Sequence, residues 1–298
     1  MLPFLLPTFA VHISDGVLQP SWEWGGFAVA GLLALFGAWR IRDEEIPRVA
    51  VLTAAFFVSS QIHVQVPGGP STHLLLNGLL GVILGRRALL AVPVGLLLQA
   101  VLFSHGGFYS LGVNSVVMGV PALLAGVLFA GLRRLPWLRR PWLRAALVAG
   151  SVLAFGLSLI YAVTLLVTNN PRQLAEADLS WANLVTFHPA TLAAAVALSV
   201  LAAWAERRLE NAPEFPLGLV VGESAVLATI LLNAGALILG GRADWYSLAL
   251  LTFIIHLPLA VIEGAILGFT VGFLARVKPE MLGWTAPEKA ECVVHSLP

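Results

Sequence analysis

Apolar residues run through this chain in blocks of about 17 to 25, the length a helix needs to cross a hydrocarbon layer about 30 Å thick, with short polar stretches between them. Nine such blocks can be drawn, at 24–40, 48–66, 73–86, 88–104, 112–132, 144–168, 185–205, 217–240 and 246–275. The third is short and reads as partly re-entrant. The pattern predicts an all-α polytopic integral membrane protein of about nine transmembrane helices in a cell membrane.

Charge placement supplies a direction. With the N-terminus outside, the connections holding Arg40, Arg42 and Arg48, then Arg86 and Arg87, then Arg133 to Arg144, then Arg207 and Arg208, and the tail from Arg276, all fall inside. That places 15 of the 17 Lys and Arg residues in the cytoplasm and leaves Arg172 and Arg242 outside, as the positive-inside rule requires. The C-terminus is then cytoplasmic. The loop 133–144, rich in Arg, Trp and Pro, suits an anchor at anionic headgroups. Nucleic-acid recognition would want a larger basic surface on a soluble fold.

Composition narrows the chemistry. Of 298 residues 58% are hydrophobic and 11% charged, against about 25% charged in soluble domains, and the mean hydropathy is +0.88. Cys292 is the one cysteine, which excludes a disulfide framework and thiolate metal clusters. Any metal must bind nitrogen or oxygen.

Six of the seven histidines, His12, His63, His73, His105, His188 and His256, fall in outer segments or outer helix ends, and His295 lies in the inner tail. An imidazole at a helix end also suits a membrane interface, but the set on one face favours a ligand cluster. Neutral imidazoles without cysteine match a borderline divalent transition metal, whereas magnesium or calcium would want more carboxylates than Asp15 beside His12. Pro67, Gly68, Gly69 and Pro70 bend the connection between His63 and His73, and such backbone survives at membrane depth where it is buried or lines a cavity. His73 then points into that cavity.

Buried polar residues form a second tier. Glu263 lies two turns beyond His256 on one helix face, and an intramembrane carboxylate is a functional candidate. Its alternative role is a helix-to-helix hydrogen bond. The same holds for Glu223, Asn77, Gln99 and Asn114. Small residues recur at helical spacing in Gly26, Ala30, Ala34 and Ala38, in Gly81 and Gly85, and in Gly264, Gly268 and Gly272. Such stripes let helices approach closely, either within the chain or against another membrane subunit. No His-Glu-x-x-His, Walker A or Gly-x-Ser-x-Gly pattern occurs, so hydrolysis and nucleotide use by this chain lack support.

Several segments together resemble the CbiM/NikM family, the substrate-specific membrane components of energy-coupling factor importers for cobalt and nickel. They are His12-Ile-Ser-Asp-Gly-Val-Leu, Pro70-Ser-Thr-His-Leu-Leu-Leu-Asn-Gly-Leu-Leu-Gly81, Leu98-Gln-Ala-Val-Leu-Phe-Ser-His-Gly-Gly107, Leu111-Gly-Val-Asn-Ser-Val-Val-Met-Gly119, and His256-Leu-Pro-Leu-Ala-Val-Ile-Glu-Gly264 followed by Arg276-Val-Lys-Pro-Glu-Met-Leu282. The stretch 133–245 resembles the family least and is expected to hold additional helices.

The resemblance implies an outer N-terminus folded back into the bundle, where a free amine, the next backbone nitrogen and a position-two histidine chelate Ni²⁺ or Co²⁺. A loop histidine completes a plane of nitrogens. Here Val11 and His12 would supply the first three donors and His73 the fourth, with His63 a neighbour and Asp15, Asn77, His105, Asn114, His256 and Glu263 in supporting or transport positions. A square plane of nitrogen favours nickel or copper over tetrahedral zinc, and cobalt can be accommodated.

Family chains begin Met-His, whereas here Met1 to Ala10 precede Val11-His12. The expectation is that residues 1–10 are a start-site extension or a processed segment. Val11 as a GTG start is preferred over cleavage after Ala10, because the stretch lacks a basic n-region. Residues 11–282 then form a single transmembrane metal-binding domain and 283–298 a cytoplasmic tail.

The implied partners are a transmembrane coupling protein, two ATPase subunits that consume the ATP, and a small accessory membrane subunit. The Gly26 to Ala38 stripe is the expected docking face. No organic cofactor is expected. The rival readings are an intramembrane metal-dependent hydrolase using His256 and Glu263, which would need open metal positions and a base, and a secondary transporter, which would be expected to show inverted repeats.

Overall fold

A computed structural model of the chain describes residues 12–64, 72–136, 140–168, 189–209 and 214–284. Among these residues are nine α-helices: α1 (Pro20–Ala38), α2 (Ile46–Ser59), α3 (Asn77–Leu84), α4 (Ala88–Phe103), α5 (Leu111–Leu132), α6 (Pro141–Thr168), α7 (Pro189–Leu209), α8 (Glu214–Gly240) and α9 (Tyr246–Val277). A two-residue antiparallel ladder, β1 (His63–Val64) with β2 (Thr72–His73), closes the connection between α2 and α3. Six described stretches are long and apolar enough to cross a membrane when 77–103 counts as one, and up to seven if the α1 and α2 region, bent by 110°, makes another.

Residues 77–103 do not form one straight rod. Such a helix would part its ends by about 40 Å, yet the rings of His73, just before α3, and His105, just after α4, lie 5.3 Å apart. The chain turns back at Gly85, whose φ of 56° and ψ of −130° are open to glycine and closed to side-chain-bearing residues. With eight residues, α3 reaches about 12 Å, so it is a buried half-helix rather than a span. This bears on the short third block read from the sequence.

Most block boundaries shift by a few residues, and two of the shifts bear on the histidine loop. The second block was drawn to 66, but α2 stops at Ser59, where the Ser59 and Ser60 hydroxyls donate to the Phe56 and Phe57 carbonyls and satisfy the helix end. The third block was drawn from 73, but the helix starts at Asn77 and His73 sits in β2. Both histidines of the loop therefore lie on strand backbone, paired across the ladder.

Close glycine contacts set the packing around α3. A Cβ on Gly81 would strike the Ala122 carbonyl of α5, and Gly218 and Gly222 of α8 lie directly against Gly268 and Gly264 of α9. At those points backbone meets backbone, as small-residue stripes permit in a membrane. The central apolar cluster joins α2, α3, α4, α5, α8 and α9 through Phe56, Leu80, Val92, Met118, Ile230 and Ala260. Exposed apolar side chains such as Trp24, Leu35, Val200 and Phe269 lie on the outside of the helices, where lipid is the solvent.

The two ends of the bundle differ in chemistry. At one end α1 begins beside Gly241, α4 finishes near His105 and α8 finishes at Gly240. At the other, the buried guanidinium of Arg87 donates to the carbonyls of Gly37, Trp39 and Arg40 at 2.6 to 2.8 Å and pairs with Glu45 at 2.8 Å. It thereby caps the C-terminal carbonyls of α1, where the helix dipole is negative. Arg133 donates to the Leu282 and Gly283 carbonyls at this same end.

Candidate metal centre

The N-terminal segment is locked into the histidine end by groups from three elements. Asn114 on α5 accepts the Ile13 N–H at 2.9 Å and donates to the Ile13 carbonyl at 2.9 Å, which also receives the Ser110 hydroxyl at 2.5 Å. The Asp15 carboxylate accepts the backbone N–H groups of Phe108, Tyr109 and Ser110 at 2.8 to 3.0 Å. On the other side, Arg242 donates from its backbone to the Val17 carbonyl and from its side chain to the Leu18 carbonyl, while the Gln19 N–H reaches the Gly240 carbonyl. The buried backbone of this irregular segment cannot be left unsatisfied, and these groups supply the partners that a helix or sheet would otherwise provide.

That locking buries His12, which is 1% exposed, against His73, also 1% exposed. Their rings stack with centroids 4.9 Å apart, and His105 stands edge-on to both, at 4.9 and 5.3 Å. One ligand nitrogen from each of the three lies within 4.8 Å of the others. Imidazole nitrogens sharing an ion at about 2.0–2.1 Å sit about 3–4 Å from one another, so a contraction of about 1 Å would close them on a metal. The Nδ1 of His73 faces the Leu74 carbonyl at 3.0 Å. A carbonyl only accepts, so Nδ1 bears the proton and Nε2 keeps the lone pair that a metal needs.

Gly106 explains the fit of the third histidine. Its φ of +79° turns the chain sharply after His105, and a Cβ there would touch the His12 side chain and Asn114. The adjacent Gly107 has no room for a side chain beside the Asp15 carboxylate and backbone.

His105, expected in a supporting position, thus joins His12 and His73 in the cluster. Asp15 and Asn114 act on backbone rather than in the cluster. Asn77, fully buried, donates to the Thr229 hydroxyl at 2.6 Å and so ties α3 to α8. His256 and Glu263 engage the segment around His73: the Thr72 hydroxyl lies 3.1 Å from His256 Nε2, and Glu263 accepts the N–H groups of Leu75 and Leu76. Gln99 donates to Ser60 at 2.7 Å, joining α4 to α2. His63 meets His73 through the backbone ladder. Val11, His188, His295 and the Pro67 to Pro70 bend lie outside the described residues.

Of the small-residue stripe on α1, Gly26 packs on Val113 of α5, and Ala30, Ala34 and Ala38 are half-buried. Sequence reading did not single out Thr72, Ser110 or Thr229. For the first two a signal was available in their position, immediately before His73 and immediately before α5.

Fold and site together define a polytopic α-helical membrane protein with a buried imidazole cluster at one end. The chain belongs to the CbiM family, described as the cobalt uptake substrate-specific transmembrane region, whose profile it matches over residues 12–198 and 182–281. A putative metal transport protein of Haemophilus influenzae is 46% identical over 121 residues, covering 40% of this chain and 57% of that protein. A putative cobalt transport protein CbiM 1 of Methanocorpusculum labreanum is 25% identical over 280 residues, 91% of this chain and 92% of that protein. The chain spans about half the length of the first curated relatives it matches. A crystal structure of a transition metal transporter superposes with a TM-score of 0.50 at 17% identity, covering 96% of this chain and all of that one, and shares the fold. Family and apolar helices together make this a multi-pass protein of the cell membrane.

Proposed function

We propose that this chain is the metal-capturing membrane subunit of an ATP-driven importer for Ni²⁺ or Co²⁺. The observation that carries the reading is the convergence of His12, His73 and His105, from three separate segments, at the end of the bundle opposite Arg87 and Arg133. With the basic connections on the cytoplasmic side, that cluster faces outward, where an importer must collect its cargo. Nitrogen donors and no thiolate suit nickel and cobalt, and relatives bear the names cobalt transport protein CbiM and fused nickel transport protein NikMN.

In this reading His12 and His73 contribute imidazoles, and the backbone nitrogens at Val11 and His12 complete a plane. His105 offers a further nitrogen from the side, and His63 neighbours the loop. Energy comes from two ATPase subunits acting through a transmembrane coupling protein, with a small accessory membrane subunit assisting loading. Ala30 and Ala34 belong to the proposed docking stripe, and unchanged co-purification of partners with Ala30→Leu/Ala34→Leu would confine that stripe to internal packing. The His256 and Glu263 pair, which a hydrolase would need at its metal, instead contacts the loop before α3.

The test is metal content and calorimetric Ni²⁺ and Co²⁺ binding for protein beginning at residue 11, for the full written chain and for His73→Ala. One metal held tightly by the first form alone supports the amine chelate. Equal binding by all three, or by none, refutes the site.

A further inference from the structure

Helix α9 grips the chain on both sides of His73. On the upstream side, His256 Nδ1 lies 2.7 Å from the Thr252 carbonyl, one turn back on its own helix, so this nitrogen carries the proton. The neutral ring then presents Nε2 as an acceptor, and the Thr72 hydroxyl donates to it at 3.1 Å. Both groups are buried, with His256 at 0% exposure. Ring, hydroxyl and helix carbonyl thus form a chain with every proton assigned.

On the downstream side, the two oxygens of Glu263 take the N–H groups of Leu75 and Leu76, one each. Leu76 itself adopts the left-handed conformation, with φ at 46°, a strained state for a leucine, directly before α3. The two N–H groups lie at the N-terminus of α3, where the helix dipole adds to the attraction for a carboxylate. Between the two grips are His73 and Leu74, whose carbonyl fixes the His73 tautomer.

We infer that Thr72, His256 and Glu263 are positioning residues that hold the His73 imidazole in register with His12 and His105, so that α9 sets metal affinity without touching the metal. This rests on the metal-binding reading above. The carboxylate is the stronger of the two grips. A glutamine at 263 would keep one acceptor and turn an amide N–H₂ toward a backbone N–H, leaving one of the two donors without an acceptor. His73, two residues upstream of Leu75, then loses its fixed position. Partners of this kind behind a ligand typically change metal affinity by about 10- to 100-fold.

The experiment uses Ni²⁺ as probe on protein purified with the N-terminus its own host gives it. Calorimetry gives affinity, and the visible absorption of the bound ion reports its ligand set. Glu263→Gln and Thr72→Val should each bind about 10- to 100-fold more weakly, with the bound-ion spectrum displaced from wild type, and Thr72→Ser should restore both readouts. A general loss of folding would lower the bound fraction and leave the spectrum of that fraction unchanged, which would count against a positioning role. If Glu263→Gln does not fold, the Thr72→Val and Thr72→Ser pair decides. Wild-type affinity and spectrum in both Glu263→Gln and Thr72→Val, alongside lost binding in His73→Ala, would overturn the inference and spare the site. Wild-type binding by His73→Ala would overturn the site itself.

Discussion

Asn114→Leu offers a demanding test of how the N-terminal segment presents His12. In the wild type one carboxamide serves both backbone groups of Ile13, accepting its N–H and donating to its carbonyl, each at 2.9 Å. Leucine has nearly the same size and neither function. The Ile13 carbonyl keeps the Ser110 hydroxyl, but the N–H of a residue only 1% exposed loses its acceptor. A buried donor without a partner costs about 1–3 kcal/mol. Fraying of the first turn lets water recover part of this, while Asp15, Gln19 and Arg242 still hold the segment further along. A net penalty of about 1–2 kcal/mol on the docked segment lowers apparent Ni²⁺ affinity by at most about 5- to 30-fold, the full factor applying when the penalty leaves the docked state the minor population. Calorimetric titration measures that loss, and hydrogen exchange at Ile13 should accelerate in parallel. Asn114→Asp, which keeps the acceptor, should lose less. Wild-type affinity with unchanged exchange at Ile13 in Asn114→Leu would refute the claim that this carboxamide holds the ligand segment.

Other perturbations reach different parts of the molecule. Gly81→Leu drives a side chain into the Ala122 carbonyl where α3 crosses α5, and overpacking of this kind costs about 1–3 kcal/mol; a lowered thermal midpoint in detergent is expected, and an unchanged one would contradict the close crossing. The Glu45 carboxyl is held below its ordinary value of 4.5 by the Arg42 backbone N–H first and by the Arg87 guanidinium second. Its stabilising contribution is therefore present above that value and lost as pH falls through the folded value, so Glu45→Gln should melt below wild type near neutral pH, with the gap closing in acid. A gap that persists unchanged in acid would show that the carboxylate charge is not involved. His105→Ala should weaken Co²⁺ more than Ni²⁺, because nickel is content with a plane of four nitrogens whereas cobalt gains from a further ligand; retention of both metals at wild-type affinity would remove His105 from the ligand set.

The grip of α9 on the His73 loop also changes what intramembrane polar residues mean here. Glu263 and His256 look from their helix like a catalytic pair, and a carboxylate at membrane depth invites that reading. In three dimensions both address the chain on either side of His73 rather than the histidine cluster itself. Asp15 shows the same pattern at the surface, spending its charge on three backbone N–H groups at the head of α5. Asp15, Asn114 and Glu263 thus supply backbone partners that strands or water would supply elsewhere, because lipid supplies none.

The sequence alone determined the solvent and much of the chemistry. Long apolar blocks admit no fold but a bundle of helices in lipid, and the near absence of cysteine restricts a metal to nitrogen and oxygen, since both conclusions follow from residue type without any coordinates. His12, His73 and His105 each stood out in the sequence, since each sits in a segment whose residue order resembles the CbiM/NikM family. What the sequence could not decide was which histidines meet. His105 lies 93 residues from His12, and their rings come together because α4 folds back from α3 at Gly85 while Asn114 draws the N-terminal segment onto α5. The roles of Thr72, His256 and Glu263 were likewise a tertiary matter: a hydrogen bond across 184 or 188 positions leaves no local period to read. Helical periodicity records which face a residue occupies, and only the packing of helices against one another sets what stands opposite that face.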